Sequence, residues 1–230
     1  MGCSAGSLGV QAWANEVMLQ MDEAYGFDDA AVVPDSYAGV FPPGSQSQTI
    51  IDYGACNVQA LENAPELKQS CQDGTITLQE MTAYTLENNP GTPVAFLNSK
   101  TDQVQIEYYI AIANSFKNDT DIITPEEYYN ELNEIFEGYS KYDNVVEFLV
   151  QSSQHCYTNN NHLWTADTSS KDGGDEGEKK MLEWLSVLPM KEGGGSISTE
   201  CRGDKIDDLK DRPKLETTYC LSALDNEIDK

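Results

Sequence analysis

Gly2-Cys3-Ser4-Ala5-Gly6 opens the chain and decides how the rest of it is read. The pattern is G-x-S-x-G, in which a serine sits on a tight turn between a strand and a helix. Glycines flank the serine because a Cβ on either side would collide with neighbouring backbone. Such a turn presents the hydroxyl of Ser4 as a nucleophile. Five residues with three fixed letters recur by chance, and the competing reading is a flexible Gly/Ser-rich start. Met1-Gly2-Cys3 also has the look of a lipidated N-terminus, but the myristoylation pattern wants Ser or Thr where Gly6 stands. The residues beyond Gly6 favour the turn. Leu8, Val10, Trp13, Val17 and Met21 recur at helical spacing, with Gln11, Asn15, Glu16 and Gln20 between them. A helix directly after the serine aims the amides of its first turn at the place where an oxyanion would form. The Ala5 amide is therefore the candidate oxyanion-hole donor.

The strand that should lead into this turn is reduced to Met1 and its neighbour. The expectation is a chain that begins at the elbow of a larger domain and lacks its N-terminal strands. A second oxyanion donor would then lie upstream, and residues 1–230 expressed alone would be aggregation-prone and inactive.

The length of 230 residues suits one domain or most of one. A net charge of −25 argues against nucleic-acid and anionic-membrane partners, because their phosphates would be repelled. No apolar run reaches the roughly eighteen residues needed to span a bilayer. The six cysteines form no CxxC pair, and the two histidines are not in HExxH spacing, so neither a metal nor a cofactor is expected. An even cysteine count leans towards disulfides and a secreted protein. Cys56 with Cys71 and Cys201 with Cys220 are closest in sequence, but many connectivities remain open. Asn118-Asp119-Thr120 is a glycosylation sequon that agrees with secretion.

Further along, Ala30-Ala31-Val32-Val33 reads as a buried strand ending in Pro34-Asp35-Ser36-Tyr37. Residues 42–92 read as helices and loops, with a capping box at Thr77-Leu78-Gln79-Glu80. Pro93-Val94-Ala95-Phe96-Leu97-Asn98 is a second strand. Gln103 to Phe116 is a helix with Ile106, Tyr109, Ile110, Ala113 and Phe116 on one face. Thr124-Pro125-Glu126-Glu127 caps another helix, and residues 145–150 form a third strand. Residues 168–180 read as a polar insert and Met181 to Leu188 as a short helix. Residues 191–230 read as a charged, loop-rich tail, stapled by its cysteines. Strands separated by helices imply an α/β fold, a parallel sheet with flanking helices, over residues 1–190.

Active groups of such sheets gather on loops at the carboxyl ends of the strands. Ser4 comes first, Asp102 follows the second strand and His155 follows the third. Ser, then Asp, then His is the order of an α/β-hydrolase triad. Asp35, also at a strand end, is the rival for orienting the imidazole, or else supports the site from behind or serves a plain turn. His162 is the other histidine and more naturally lines the pocket than acts as base. Asp73 to Glu80 resembles the second half of an EF-hand loop, but Gln69 and Cys71 would occupy its first ligand positions. Arg202-Gly203-Asp204 is too short to carry a partner.

With Gly2 to Gly6, the Asp-x-x-Gln of Asp102 to Gln105 and His155-Cys156 followed by Thr158, the chain resembles the pectin acetylesterase/Notum family. That family shows an elbow, an Asp-x-x-Gln segment and an His-Cys-Gln-Thr segment in this order. The resemblance covers about residues 1–190. Ser7 stands where a second glycine is usual, and Tyr157 replaces the usual glutamine. It implies an α/β-hydrolase variant in a secreted enzyme that hydrolyses acylated carbohydrate or other carboxylic esters. Ser4 would be nucleophile, Asp102 the orienting acid and His155 the base, with Asp35, Gln105 and His162 supporting the site. The alternative is a non-catalytic, hydrolase-like binding module presenting Trp13, Trp164, Trp184 and tyrosines. Oligomeric state stays open.

Overall fold

Apolar runs alternate with amphipathic ones along this chain, and in the computed structural model they build a parallel sheet with flanking helices. The structure describes residues 1–27, 30–116, 122–150 and 153–158. His162, Trp164, Trp184, the sequon at Asn118, Cys201, Cys220, Arg202-Gly203-Asp204, the insert over 168–180, the helix over 181–188 and the tail over 191–230 lie outside them.

The strands are β1 (Gly2–Cys3), β2 (Pro34–Asp35), β3 (Val94–Ser99) and β4 (Val145–Val150), in the spatial order β1-β2-β3-β4. Helix α1 (Ala5–Tyr25) follows β1. Helices α2 (Gln46–Asp52), α3 (Pro65–Asp73) and α4 (Leu78–Asn88) fill the long connection from β2 to β3. Helices α5 (Gln103–Ser115) and α6 (Pro125–Tyr139) connect β3 to β4. β3 and β4 pair along their whole length, from Val94 beside Val145 to Ser99 beside Val150.

β2 departs from expectation. The strand read over 30–33 is instead a bridge at Val32 to Val94 and a two-residue strand at Pro34–Asp35. Pro34 is the cause. Val32 donates to the Pro93 carbonyl at 2.9 Å and Ser36 to Leu97 at 2.7 Å. The residue between them on that side is Pro34, which has no N–H to give, so the ladder breaks there.

The interior falls into two clusters. One gathers β3 and β4 with α6, where Phe96 meets Phe136 edge-on at 5.2 Å and stacks on Tyr139 at 5.6 Å. The other gathers Leu8 and Ala12 of α1 with α2, α3 and α4. In α1 the expected apolar stripe holds only in its first half. Leu8 is buried and Trp13 half-buried, whereas Val17 and Met21 are exposed. Polar Ser7 and Gln11 are buried instead, because Ser7 Oγ and Gln11 Nε2 each donate to the Tyr37 carbonyl at 2.7 Å. Phe116, expected on the buried face of α5, is likewise exposed, and Ile112 is buried there instead.

Both expected capping boxes form, at Thr77 with Glu80 and at Thr124 with Glu127. The EF-hand resemblance dissolves locally, since Glu80 is spent on Thr77 and Gly74 simply ends α3 in a left-handed turn. Cys56 pairs with Cys71 and Cys3 with Cys156. Two disulfides fit an extracellular or otherwise oxidising compartment. Among the described residues no helix is long and apolar enough to cross a membrane.

Candidate active site

Ser4 sits between β1 and α1 at φ 57°, ψ −123°, a conformation that side-chain-bearing residues rarely adopt. Its N–H donates to the Asp35 carbonyl at 3.0 Å, which docks the turn on β2. Its carbonyl accepts from Ser7 and Leu8 and so starts the helix. The strand-turn-helix context is thus in place. The two glycines of the motif differ in what their positions demand. A Cβ at Gly2 would lie 2.2 Å from the Gly6 carbonyl oxygen and 2.4 Å from Val10, so glycine is required there. A Cβ at Gly6 would meet nothing within 4 Å, so glycine is not forced at that position. Gly6 is exposed on the first turn of α1, whose outer side is open.

Asp102 follows β3 and is the N-cap of α5. It is fully buried. Its Oδ1 accepts from the Gln105 backbone at 3.0 Å and its Oδ2 from Gln105 Nε2 at 2.9 Å. The Nδ1 of His155 lies 3.0 and 2.9 Å from its two oxygens. A protonated Nδ1 donates to this carboxylate and leaves Nε2 free to accept a proton. Gln105 Nε2 also donates to Asn98 Oδ1 at 3.0 Å, and these two acceptors fix which way its amide points. Asn98 Nδ2 in turn donates to the Tyr128 hydroxyl at 3.2 Å. Burial first, and then the Asp102 charge, hold the Tyr128 phenol well above its ordinary range, so it stays neutral.

Asp35 does not reach His155, so the rival orienting acid is set aside. Its carboxylate, fully buried, is occupied by the loop just beyond the histidine, through Tyr157 and Thr158. Gln105 donates to Asp102 and borders the pocket.

Ser4, Ala5, Gln105 and His155 line one cavity of about 250 Å3. The Ala5 N–H, first in the helix, has no intrahelical acceptor. Among the described residues no hydrogen bond joins Ser4 to His155, though both line the same cavity. Leu8, Tyr37, Tyr53, Val104 and Tyr108 complete the wall. The Tyr37 phenol is pushed well up, by burial first and then by its neighbours Tyr108 and Tyr53. A roomier groove of about 640 Å3, bordered by Gln79, Glu131 and Glu134, contains none of these residues.

The wall tyrosines and Val104 were not foreseen. Val104 and Tyr108 stand one helical turn apart, flanking Gln105, and that spacing was the available signal. Ser36 was not foreseen, nor was the backbone conformation of Cys156. With Ser4 they are the non-glycine residues of positive φ among the described residues, at 58°, 63° and 57°. All three lie around this site, where strain of this kind tends to concentrate. Cys3, Cys156 and His155 bring potential metal-binding atoms within 4.8 Å of one another. The two sulfurs are joined as a cystine, which has no thiolate to give a metal.

Compared with protein-family models, with curated proteins and with solved structures, the chain finds no match in any of the three.

Proposed function

We propose that this protein is a secreted serine carboxylic-ester hydrolase, a variant of the α/β-hydrolase type, that removes small acyl groups such as acetyl from a carbohydrate or similar alcohol. The observation that carries the reading is Ser4 held at positive φ between β1 and α1, on the cavity of a histidine whose Nδ1 is bonded to buried Asp102.

Ser4 Oγ attacks the ester carbonyl carbon while His155 Nε2 takes its proton. Asp102 holds the imidazole tautomer and stabilises the imidazolium. The tetrahedral oxyanion lies against the Ala5 amide at the start of α1. His155 then gives the proton to the departing alcohol oxygen, leaving an acyl-serine. Water, deprotonated by the same histidine, releases the acid. Apo sites often hold nucleophile and base apart until substrate enters, so the open Ser4–His155 arrangement is compatible with this sequence. A cavity of about 250 Å3 is smaller than drug-sized pockets and suits a short acyl group. Tyr53 and Tyr108, each 45% exposed, line this cavity and offer aromatic surface against which a sugar ring can rest.

The second reading is a non-catalytic binding module, favoured by the missing Ser4–His155 hydrogen bond and by those exposed aromatics. Turnover separates the two. In protein expressed from the complete gene in a secretory host, p-nitrophenyl acetate should be hydrolysed faster than the octanoate. His155→Ala should lower kcat/KM by about a thousandfold or more. Turnover that His155→Ala leaves unchanged would remove the hydrolase reading.

A further inference from the structure

We infer that Asp35 is a positioning residue, which registers the loop carrying the base onto the turn carrying the nucleophile. The inference rests on the hydrolase reading for its effect on rate, but its geometry stands by itself.

Asp35 touches both halves of the site. Through its backbone carbonyl it accepts from the Ser4 N–H at 3.0 Å. Through its carboxylate it holds the residues after His155. Oδ2 accepts from Tyr157 N at 2.9 Å, Thr158 N at 2.7 Å and Thr158 Oγ1 at 2.7 Å. Oδ1 accepts from Ser36 Oγ at 2.8 Å, and Tyr157 N reaches it at 3.2 Å. Ser36 Oγ in turn accepts from Cys156 N at 2.8 Å. The backbone N–H groups of three successive residues after the base thus end on the Asp35–Ser36 pair. Cys156 is also tied by its sulfur to Cys3, the residue before Ser4.

A loop staple of no functional meaning would not need this chemistry. Asp35 is fully buried and joins no ion pair among the described residues, so its carboxylate is held by neutral donors alone. Burying such a group is costly unless every donor is well placed. Both oxygens accept, and two of the four donors, the N–H groups of Tyr157 and Thr158, are fixed in the backbone. An asparagine would turn an NH2 group towards one of them, donor against donor, and push the loop away. His155 begins that loop, and its contact with Asp102 requires the ring to stay where it is. A displacement of about 1 Å at a reacting group costs about a hundredfold in rate.

The test compares wild type, Asp35→Asn and Thr158→Val, all expressed from the complete gene. Three readouts are taken: steady-state kinetics on p-nitrophenyl acetate, cooperative unfolding, and the downfield proton resonance of His155 Nδ1–H against Asp102. Asp35→Asn should lower kcat by about a hundredfold with KM within about threefold, and should shift or abolish the resonance. Thr158→Val removes one donor to the buried carboxylate and should give a smaller loss of kcat, about fivefold, with a lowered melting temperature that still leaves the protein folded under assay conditions. If Asp35→Asn fails to fold, the Thr158→Val loss of kcat, measured where that variant is fully folded, decides the matter. Wild-type kcat and resonance in both variants would overturn the inference, as would a loss that only matches the unfolded fraction. If wild type shows no turnover, the hydrolase reading falls and the resonance alone decides. Its loss in Asp35→Asn supports the positioning role, and its persistence refutes it.

Discussion

Gly2 and Gly6 look equivalent in the pattern and are not equivalent in space. The carbonyl of Gly6 and a methyl of Val10 occupy the place where a Gly2 side chain would go. Gly2→Ala must therefore separate β1 from α1, and overpacking of this kind costs about 1–3 kcal/mol. Gly6→Ala meets open space in a helix and should be neutral or stabilise by about 0.5–1 kcal/mol. Urea unfolding of the two variants checks the contrast; equal destabilisation would mean that the elbow is packed differently. The residue scale is also where the sequence was least complete. Ser4, Asp102 and His155 could be named because each follows a readable strand or motif. The positive φ of Ser36 and Cys156 could not, because neither residue type advertises a left-handed backbone; each is held there by partners distant in sequence. The role of Asp35 was narrowed only by seeing that its oxygens are already filled.

Elements were most legible where local chemistry is self-contained. The capping boxes at Thr77 and Thr124 and strand β4 at Val145–Val150 stand where the pattern put them. β2 is shorter than its apolar run suggests because Pro34 removes a ladder bond, an effect that depends on which side of the strand faces its neighbour. The second half of α1 differs from its pattern because Val17 and Met21 follow helical spacing yet stay exposed among the described residues. Asp102 belongs to two elements at once, as N-cap of α5 and as partner of His155, so the helix start itself sets the acid in place. The Glu127 cap carries a pH signature. Hydrogen bonds from the Thr124 backbone and then its hydroxyl lower the Glu127 carboxyl from its ordinary 4.5. A carboxyl lowered on folding contributes stability above its unfolded pKa and loses it as pH falls through the folded value. The melting deficit of Glu127→Ala relative to wild type should therefore be present at pH 7 and shrink in acid. A deficit independent of pH would show that the carboxylate is not what caps α6.

At the scale of the whole molecule, a parallel sheet brings loops far apart in sequence to one end of the strands. Ser4, Asp102 and His155 reach a common site for that reason. The Cys3–Cys156 bond spans 153 residues and joins the neighbours of Ser4 and His155. In the chain-entropy picture a loop of that size is worth about 5 kcal/mol, against about 3 kcal/mol for the 15-residue separation of Cys56 and Cys71. Six cysteines left this pairing open, because only the fold brings the ends of β1 and the base loop together. The central claim is that Ser4 is an activated nucleophile, and its most direct test is covalent labelling by a fluorophosphonate with mass mapping of the adduct. Protein expressed from the complete gene should carry a single adduct on the peptide containing Ser4, and Ser4→Ala should carry none. An adduct on another residue, labelling that persists in Ser4→Ala, or folded wild-type protein that takes up no label would contradict it.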